Sequence, residues 1–341
     1  MRTGNVAAAI RAAMEANVAL MLHGQPSSAK SSIVRQVAAN EGYEVVDLRL
    51  SQMDAVDLRG VPYIVDGSTY WAKPSWWPKP GVKTVLFLDE INQAAQSVQA
   101  PAYQLVLERQ LGEHVLPEEC RVVAAGNRMT DQAIVNKMGS ALKNRFVHLV
   151  VEVNTDDWLE WAIGEGDIHE SIIGFIRFRP QLLNEIAGGQ TKEANERLAK
   201  SLQGNSFATP RSWSFVDKLI KAKPSKDIEQ ALYAGAIGEG AAAEFMAYVK
   251  YYRDMPDLDN ILMNPKTAPI PTEQATLFAV ATGLGARVTE SSFEYMATYM
   301  ERIGKKEFEV MAVKDALLRD PDIQRARATV KWVLANKKFL S

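Results

Sequence analysis

An apolar run that ends near a glycine, with a lysine and a serine behind it, constrains the fold more than any other stretch. The run VALML at 18–22 precedes Gly24, and Lys30 and Ser31 follow where a helix is predicted to begin. A strand, a turn and a helix start in this order direct backbone N–H groups at one position, the geometry that holds phosphates. The spacing is that of a phosphate-binding loop with Ala29 in place of a glycine. A solvated lysine at an ordinary helix start is an equally good explanation of this segment alone.

Two carboxylates at the end of a second apolar run favour the phosphate-binding explanation. The stretch TVLFLDE at 84–90 is apolar until it reaches Asp89 and Glu90. Ligands of open α/β sheets bind at the carboxyl ends of the strands, where Asp89 can hold Mg²⁺ through water and Glu90 can orient and deprotonate an attacking water. Asn127 ends the next run, VVAAGN, and can hold that water or a γ-phosphate. The alternative for all three residues is a strand that simply ends in a polar turn.

Alternating strand and helix patterns over the first 150 residues predict a parallel sheet covered by helices on both faces. Strands are predicted at 18–22, 44–50, 84–90, 121–127 and 147–153, and helices at 5–16, from Lys30 onward, at 97–110 and ending at 141–146. After Thr155 the periodicity is helical, with a proline-rich break at 264–273. We therefore expect an α/β core at 1–153, a helical lid at 154–254 and a C-terminal helical extension at 255–341.

Five motifs in series resemble those of AAA+ ATPases. GQPSSAKS, LFLDE, AAGN, ALKNRF and TPRS stand in the order of the phosphate loop, the Walker B strand, sensor 1, the arginine-finger region and sensor 2. Within that superfamily the chain is similar to MoxR-like ATPases, notably in VDLRLSQMDAVDLRG and YQLVLERQLGEHVLPEECRVVAAGN. The resemblance covers roughly residues 5–250. It implies a P-loop AAA+ core with a parallel sheet flanked by helices, followed by an α-helical lid and a C-terminal helical extension.

The resemblance also implies which residues bind ATP and Mg²⁺. The nucleotide-binding residues are Gly24, Gln25, Pro26, Ser27, Ser28, Ala29, Lys30, Ser31 and Ser32, the Mg²⁺ ligands are Ser31 and Asp89, and the catalytic residues are Glu90, Asn127, Arg145 and Arg211. Ser27 and Ala29 replace glycines of the family. The loop also resembles the form G-x-P-[GS]-x-A-K-S of minichromosome maintenance helicases and of some MoxR relatives, so we interpret it as an active variant. Both side chains are tolerated if their backbone angles lie in regions open to L-residues.

Two arginines complete the expected site. The resemblance makes Arg145 the arginine finger that reaches the γ-phosphate of a neighbouring subunit, a role suited to a permanent, fork-shaped cation. The alternative is an arginine that stabilises the C-terminal end of a helix. Arg211 follows Pro210, a residue type favoured in the first turn of a helix, and corresponds to sensor 2. The sequence leaves open whether Arg211 serves its own subunit or a neighbour.

These implications favour an ATP-hydrolysing machine that assembles as a homo-hexameric ring and remodels a protein partner, such as one with a von Willebrand factor A domain. A DNA-associated AAA+ motor is the second hypothesis. The chain has 39 basic and 41 acidic residues, so its composition shows no excess of positive charge for binding nucleic acid. A nucleotide-dependent assembly module with little turnover is the third. Glu90 argues against this third hypothesis, because a module that only binds nucleotide does not need an acidic residue to activate water.

The cysteine, the N-terminal segment and the histidines bear on the compartment of the protein and on whether it holds a metal. The single cysteine, Cys120, excludes an intrachain disulfide, and the N-terminal segment contains charges and reads as neither a leader nor a membrane span. We expect a cytoplasmic protein without a membrane segment. The four histidines lack metal-ligand spacing. The tryptophans of 68–80 are interpreted as packing anchors rather than as a substrate-contacting face.

Overall fold

A computed structural model describes residues 3–128, 144–187 and 204–339. The chain divides into two compact units, Met1–Asn154, here called unit 1, and Thr155–Ser341, here called unit 2. No helix within the described ranges is long and apolar enough to cross a membrane.

Unit 1 contains strands and helices in alternation. Its strands are β1 (Leu20–His23), β2 (Glu44–Arg49), β3 (Pro62–Val65), β4 (Ser68–Trp71), β5 (Thr84–Asp89), β6 (Gln110–Leu111), β7 (His114–Val115), β8 (Cys120–Gly126) and β9 (Val147–Val150). Its described helices are α1 (Thr3–Glu15), α2 (Lys30–Asn40), α3 (Ala55–Arg59) and α4 (Gln96–Glu108), with a 3₁₀ turn at Leu50–Gln52.

Five of these strands form one parallel sheet in the order β2-β5-β8-β1-β9. Because the strands run in the same direction, the carboxyl ends of β2, β5, β8 and β1 lie at the same edge of the sheet. This arrangement confirms the predicted α/β fold with a parallel sheet flanked by helices. The last strand is shorter than the predicted 147–153. It ends at Val150 because its neighbour β1 ends at His23 and offers no further strand residues to pair with.

The middle of the sheet is buried on both faces. In β5, Val85 and Phe87 belong to a core cluster that includes residues of α1 and α2, whereas Leu86 and Leu88 belong to a second cluster with α4. Successive side chains of a strand point to opposite faces, so a strand covered on both sides must be apolar throughout. This explains why the run before Asp89 contains no polar residue.

Two small hairpins, β3–β4 and β6–β7, were not predicted as strands. Antiparallel β3 and β4 are joined by Asp66 and Gly67, both with positive φ, as a two-residue hairpin turn requires. Trp77 beyond this hairpin is buried in the core, and the indole of Trp76 donates a 3.0 Å hydrogen bond to the carbonyl of Asp57. These contacts agree with the packing interpretation of this segment.

Unit 2 is helical throughout its described residues. Its helices are α5 (Thr155–Gly164), α6 (Glu170–Phe178), α7 (Pro210–Ala222), α8 (Lys226–Ile237), α9 (Glu239–Arg253), α10 (Leu258–Met263), α11 (Gln274–Arg287), α12 (Phe293–Ile303), α13 (Lys306–Arg319) and α14 (Arg327–Asn336), with 3₁₀ turns at Pro180–Leu182, Glu185–Ala187, Pro321–Arg325 and Lys337–Phe339. The proline-rich segment at 264–273 separates α10 from α11. The division of this unit into a lid and an extension at residue 254 stays a prediction.

A buried ion pair joins two helices of unit 2. Arg177 of α6 donates two hydrogen bonds to the carboxylate of Asp315 in α13, and a third at 3.2 Å to the hydroxyl of Thr282 in α11. The Asp315 side chain is only 1% exposed. Its burial raises the pKa of the carboxyl above the usual range, against the opposing effect of the guanidinium.

Candidate functional site

Four neighbouring strands bring polar residues to one edge of the sheet. Gly24 follows β1, Asn127 follows β8, Asp89 ends β5, and Ser51 lies two residues beyond β2. The sheet order places these strand ends side by side. Three of these positions, but not Ser51, were identified from the sequence.

The lysine of the loop is folded against the loop itself. The ammonium group of Lys30 donates to the carbonyls of Gly24 and Gln25, each at 2.8 Å, and to the hydroxyl of Ser28 at 3.2 Å. The Lys30 residue is 7% exposed. A buried ammonium is costly unless it is hydrogen-bonded, and here backbone oxygens supply those bonds. The positive charge is thereby fixed within the loop, directly at the start of α2.

Glycine is required at the first position of the loop. A Cβ atom on Gly24 would lie 2.7 Å from Ser28 Oγ and 2.8 Å from the carbonyl oxygen of Val151. Because contacts this short do not occur, any other residue would push the loop away from Val151, the residue after β9. The remaining loop residues differ in burial: Gln25 and Ser28 are buried, Ser27 and Ser31 half-buried, and Pro26, Ala29 and Ser32 exposed.

Two L-residues of the loop adopt the left-handed conformation. Ser27 and Ala29 both have φ of 63°, and Ala29 immediately precedes α2. This region is accessible to L-residues but favours glycine, because Cβ approaches the following carbonyl oxygen. The interpretation as an active variant required angles open to L-residues. Both residues lie in the left-handed region of backbone angles, which L-residues can adopt at a cost in the free energy of folding.

A hydrogen bond joins the two predicted metal ligands. The hydroxyl of Ser31 donates to Asp89 Oδ2 at 2.7 Å, across the 58 residues that separate them. Hydroxyl and carboxylate oxygens are the donors that Mg²⁺ prefers, and Mg²⁺ bound with phosphates needs only one or two protein ligands. This donor pair therefore fits the ion. Within the described residues, no group of three or more His, Cys, Asp or Glu side chains is arranged to hold a metal.

The carboxylate of Glu90 is fixed by a residue that the sequence did not indicate. Ser51 Oγ donates a hydrogen bond to Glu90 Oε2, and the Glu90 backbone N–H donates to Asp89 Oδ1 at 2.9 Å. Glu90 has φ of 57°, a left-handed conformation that turns the chain sharply after β5. Ser51 is the first serine after β2, the strand next to β5. The sequence feature that could have identified Ser51 is its position as a polar residue just beyond a strand that neighbours β5.

Asn127 is half-buried at the end of β8. Its backbone carbonyl accepts a 2.6 Å hydrogen bond from the side-chain amide of Asn92. Asn92 lies two residues after Glu90 and was also not identified from the sequence. The structure thus connects the turn that carries Glu90 to the segment that carries Asn127.

Arg145 lies at the opposite edge of the sheet from the loop. It is exposed and precedes β9, whose residue Val147 pairs with Leu20 at the start of β1, whereas the loop follows the end of β1. The strand from Leu20 to Gly24 alone spans about 13 Å. The loop of its own chain is therefore out of reach of this guanidinium. Residues 141–143 of the same predicted motif lie outside the described residues.

Arg211 belongs to unit 2. It is exposed in the first turn of α7, behind Pro210 at the first helical position. Thr209 caps this helix by accepting from the N–H of Ser212, and the Ser212 side chain accepts from the N–H of Thr209 in return. The expected helix start with proline in its first turn is present.

A comparison with protein families finds a match within unit 1. Residues 19–146 match the family model described as the AAA domain of the dynein-related subfamily. The matched range contains the loop, both carboxylates and Asn127. The narrower similarity to MoxR-like proteins stays a prediction.

Solved structures resemble the chain only distantly. A mutant of RuvB from Thermotoga maritima is 14% identical, with 83% of this chain and 81% of that chain covered and a TM-score of 0.39. NtrX from Brucella abortus in complex with ADP is 13% identical, with 98% of this chain and 68% of that chain covered and a TM-score of 0.39. A comparison with curated proteins finds no match.

Proposed function

We propose that the AAA domain binds ATP with Mg²⁺ and hydrolyses it to ADP and phosphate. The observation that carries the proposal is the convergence, at one sheet edge, of a buried lysine at a helix start, a hydrogen-bonded serine and aspartate, and a glutamate held by Ser51. Each of these groups has a distinct part in phosphoryl transfer to water.

Each residue of the site supplies one element of the reaction. The loop N–H groups and Lys30 bind the β- and γ-phosphates. Ser31 and Asp89 would hold Mg²⁺, which would supply positive charge against those phosphates. Glu90 accepts the proton of the attacking water, with one carboxylate oxygen held by Ser51 and the other directed at the water. Asn127 orients the same water or the γ-phosphate. By the resemblance, Arg211 is the sensor 2 residue for a nucleotide bound either by its own subunit or by a neighbouring one.

Two substitutions separate binding from chemistry. We expect Lys30→Ala to lose ATP binding, and Glu90→Gln to bind ATP but to hydrolyse it about 10²–10⁴ times more slowly, since a positioned base is lost. Nucleotide binding by calorimetry and phosphate release provide the two measurements. Exposed Lys79→Ala and Glu118→Gln are matched controls in the same unit. Equal turnover by the wild type and Glu90→Gln would refute the assigned role of Glu90.

We further propose that the active form is a homo-hexameric ring in which Arg145 completes the site of a neighbouring copy. Its position at the opposite sheet edge supports action between copies rather than within one. Arg145→Ala subunits should bind ATP yet lose roughly 10³–10⁵ in hydrolysis rate. Mixing them with Lys30→Ala subunits should restore activity, because some interfaces then pair an intact loop with an intact Arg145. Confirmed mixed rings no more active than the sum of the two variants would contradict this role.

The ring is proposed to remodel a protein partner, such as one with a von Willebrand factor A domain, in the manner that the resemblance to MoxR-like ATPases implies. Glu90→Gln should accumulate the ATP-bound state and retain the partner during co-purification with ATP, whereas Lys30→Ala should not. Mass spectrometry identifies what is retained. Retention of DNA in place of a protein would favour the second hypothesis, a DNA-associated motor.

A further inference from the structure

Three successive carbonyl groups at the end of β8 hold the neighbouring parts of the site. The carbonyl of Ala125 accepts from the N–H of Ile91 at 3.1 Å, and that of Gly126 accepts from the N–H of Gly24 at 3.2 Å. The third carbonyl, that of Asn127, accepts from the side chain of Asn92 at 2.6 Å. The first two bonds are formed by the backbone and persist whatever the side chains are. The third depends entirely on the identity of residue 92.

Asn92 is placed at a cost that packing does not explain. The residue is 4% exposed, and its Oδ1 atom is buried without a hydrogen-bond partner among the described residues. A buried acceptor without a partner costs about 1–3 kcal/mol. Leucine has nearly the same shape and carries no such cost. The asparagine therefore has a use other than filling the core.

The space for this amide exists because residue 126 is glycine. A Cβ atom on Gly126 would lie 2.3 Å from Asn92 Oδ1 and 2.9 Å from the terminal methyl group of Met21. The methionine methyl can move, but the amide is held by its bond to the Asn127 carbonyl. Gly126 and Asn92 thus form a matched pair next to Asn127. The orientation of the amide is fixed as well, since the opposite one would bring two oxygens together.

We infer that Asn92 is a positioning residue, which sets the orientation of Asn127 relative to Glu90 for hydrolysis. The inference rests on the proposed ATPase function. Asn92 and Glu90 belong to the same turn after β5, so the bond to the Asn127 carbonyl fixes the distance between the base and the residue that orients the water. A misplacement of about 1 Å in a catalytic arrangement can cost 10²-fold in rate. ATP binding depends on the loop and on Lys30, whereas the side-chain hydrogen bond of Asn92 goes to the carbonyl of Asn127.

The first test replaces the donor by a group that donates only when protonated. In Asn92→Asp, the neutral carboxyl can donate to the Asn127 carbonyl, whereas the carboxylate repels it. Burial raises the pKa of such a carboxyl, so the change falls in the range of the assay. We expect the ratio of kcat between Asn92→Asp and the wild type to fall by at least ~5-fold from pH 6 to pH 9, with KM for ATP within about 3-fold.

A matched control separates positioning from general disturbance. Gln99 is 3% exposed, and its amide donates to the carbonyl of Ala94 at 2.9 Å. Gln99→Glu therefore makes the same chemical change in α4, and its kcat ratio to the wild type should stay constant with pH. Because ratios are compared, titration of groups common to all three proteins cancels.

The second test uses the pairing with Gly126. Gly126→Ala should lower kcat by roughly 10-fold or more when Asn92 is present, but by less than about 3-fold in an Asn92→Ala background, where the clashing oxygen is gone. A constant pH ratio for Asn92→Asp, or equal effects of Gly126→Ala in both backgrounds, refutes the inference while the wild type still turns over ATP. A wild type without turnover refutes the proposed function and the inference with it.

Discussion

Replacing Ser27 and Ala29 together by glycine should stabilise unit 1 without creating a better nucleotide site. Both residues have φ of 63°, where glycine has no steric penalty. Glycine at these positions would leave the loop shape unchanged. The substitution therefore changes the free energy of the loop conformation rather than the conformation itself.

The expected magnitude follows from two opposing terms. A left-handed L-residue costs about 1–2 kcal/mol relative to its right-handed form, and glycine loses roughly 0.5–1 kcal/mol more chain entropy on folding. The net gain is roughly 0.5–1 kcal/mol per position, or about 1–2 kcal/mol for the pair. For a unit of this size the midpoint of thermal unfolding should rise by about 2–8 °C.

Scanning calorimetry measures this gain, and the transition of unit 1 is identified as the one that ATP shifts. Ser32→Gly is the matched control. Ser32 is exposed and lies within α2, so glycine there should destabilise the unit by about 0.5–1 kcal/mol. The affinity for ATP should change by less than about 3-fold in the double variant, because glycine at these positions leaves the loop shape unchanged.

Two results would contradict this reasoning. A double variant no more stable than the wild type would show that the left-handed conformation carries no strain at these positions. A gain in ATP affinity above about 10-fold, or 1.4 kcal/mol, would show that the native loop is a decayed site rather than an active variant.

Two further substitutions test other contacts. Ser51→Ala should lower kcat by about 10-fold in phosphate-release assays at unchanged ATP affinity, because Glu90 loses the hydrogen bond that orients it. The control Ser51→Thr keeps the hydroxyl and should retain the wild-type rate. A Ser51→Ala rate equal to that of the wild type would show that Ser51 has no part in the site. Asp315→Ala should destabilise unit 2 by about 3–5 kcal/mol in denaturant unfolding, since it leaves the Arg177 guanidinium buried without its carboxylate. Asp322→Ala, which breaks an exposed pair with Arg325, should have little effect; equal losses in both variants would contradict the importance of burial.

The sheet could be predicted because its strands are buried on both faces. A strand such as β5 must be apolar along its buried middle, here residues 85–88, so its sequence differs clearly from that of the helices around it. The β3–β4 hairpin was missed although Asp66-Gly67, directly after the apolar residues of β3, is the pattern of a two-residue turn. Its strands are exposed along nearly their whole length, and β4 begins with a serine and a threonine rather than with an apolar run.

Residues of the candidate site could be predicted only where the local sequence pattern around each of them indicates its role. Lys30 and Glu90 each stand at the end of a recognisable strand or loop pattern. Ser51 and Asn92 become part of the site through contacts with residues 39 and 35 positions away along the chain. Serine and asparagine are common in turns for local reasons, so their type carries little information without the sheet order.

The backbone conformations add a constraint that spacing alone could not give. Eight described residues other than glycine have positive φ. Asn17, Asp66 and Asp167 are of types that tolerate this conformation, and Arg109 and Lys223 end helices, where it is common. The other three, Ser27, Ala29 and Glu90, lie at the carboxyl ends of β1 and β5. Left-handed residues without a local reason collect where function holds them in place. At Glu90 the sharp turn brings the side chain to Ser51 and the N–H to Asp89, so a relaxed backbone there would separate the carboxylate, which we propose as the base, from the serine that orients it.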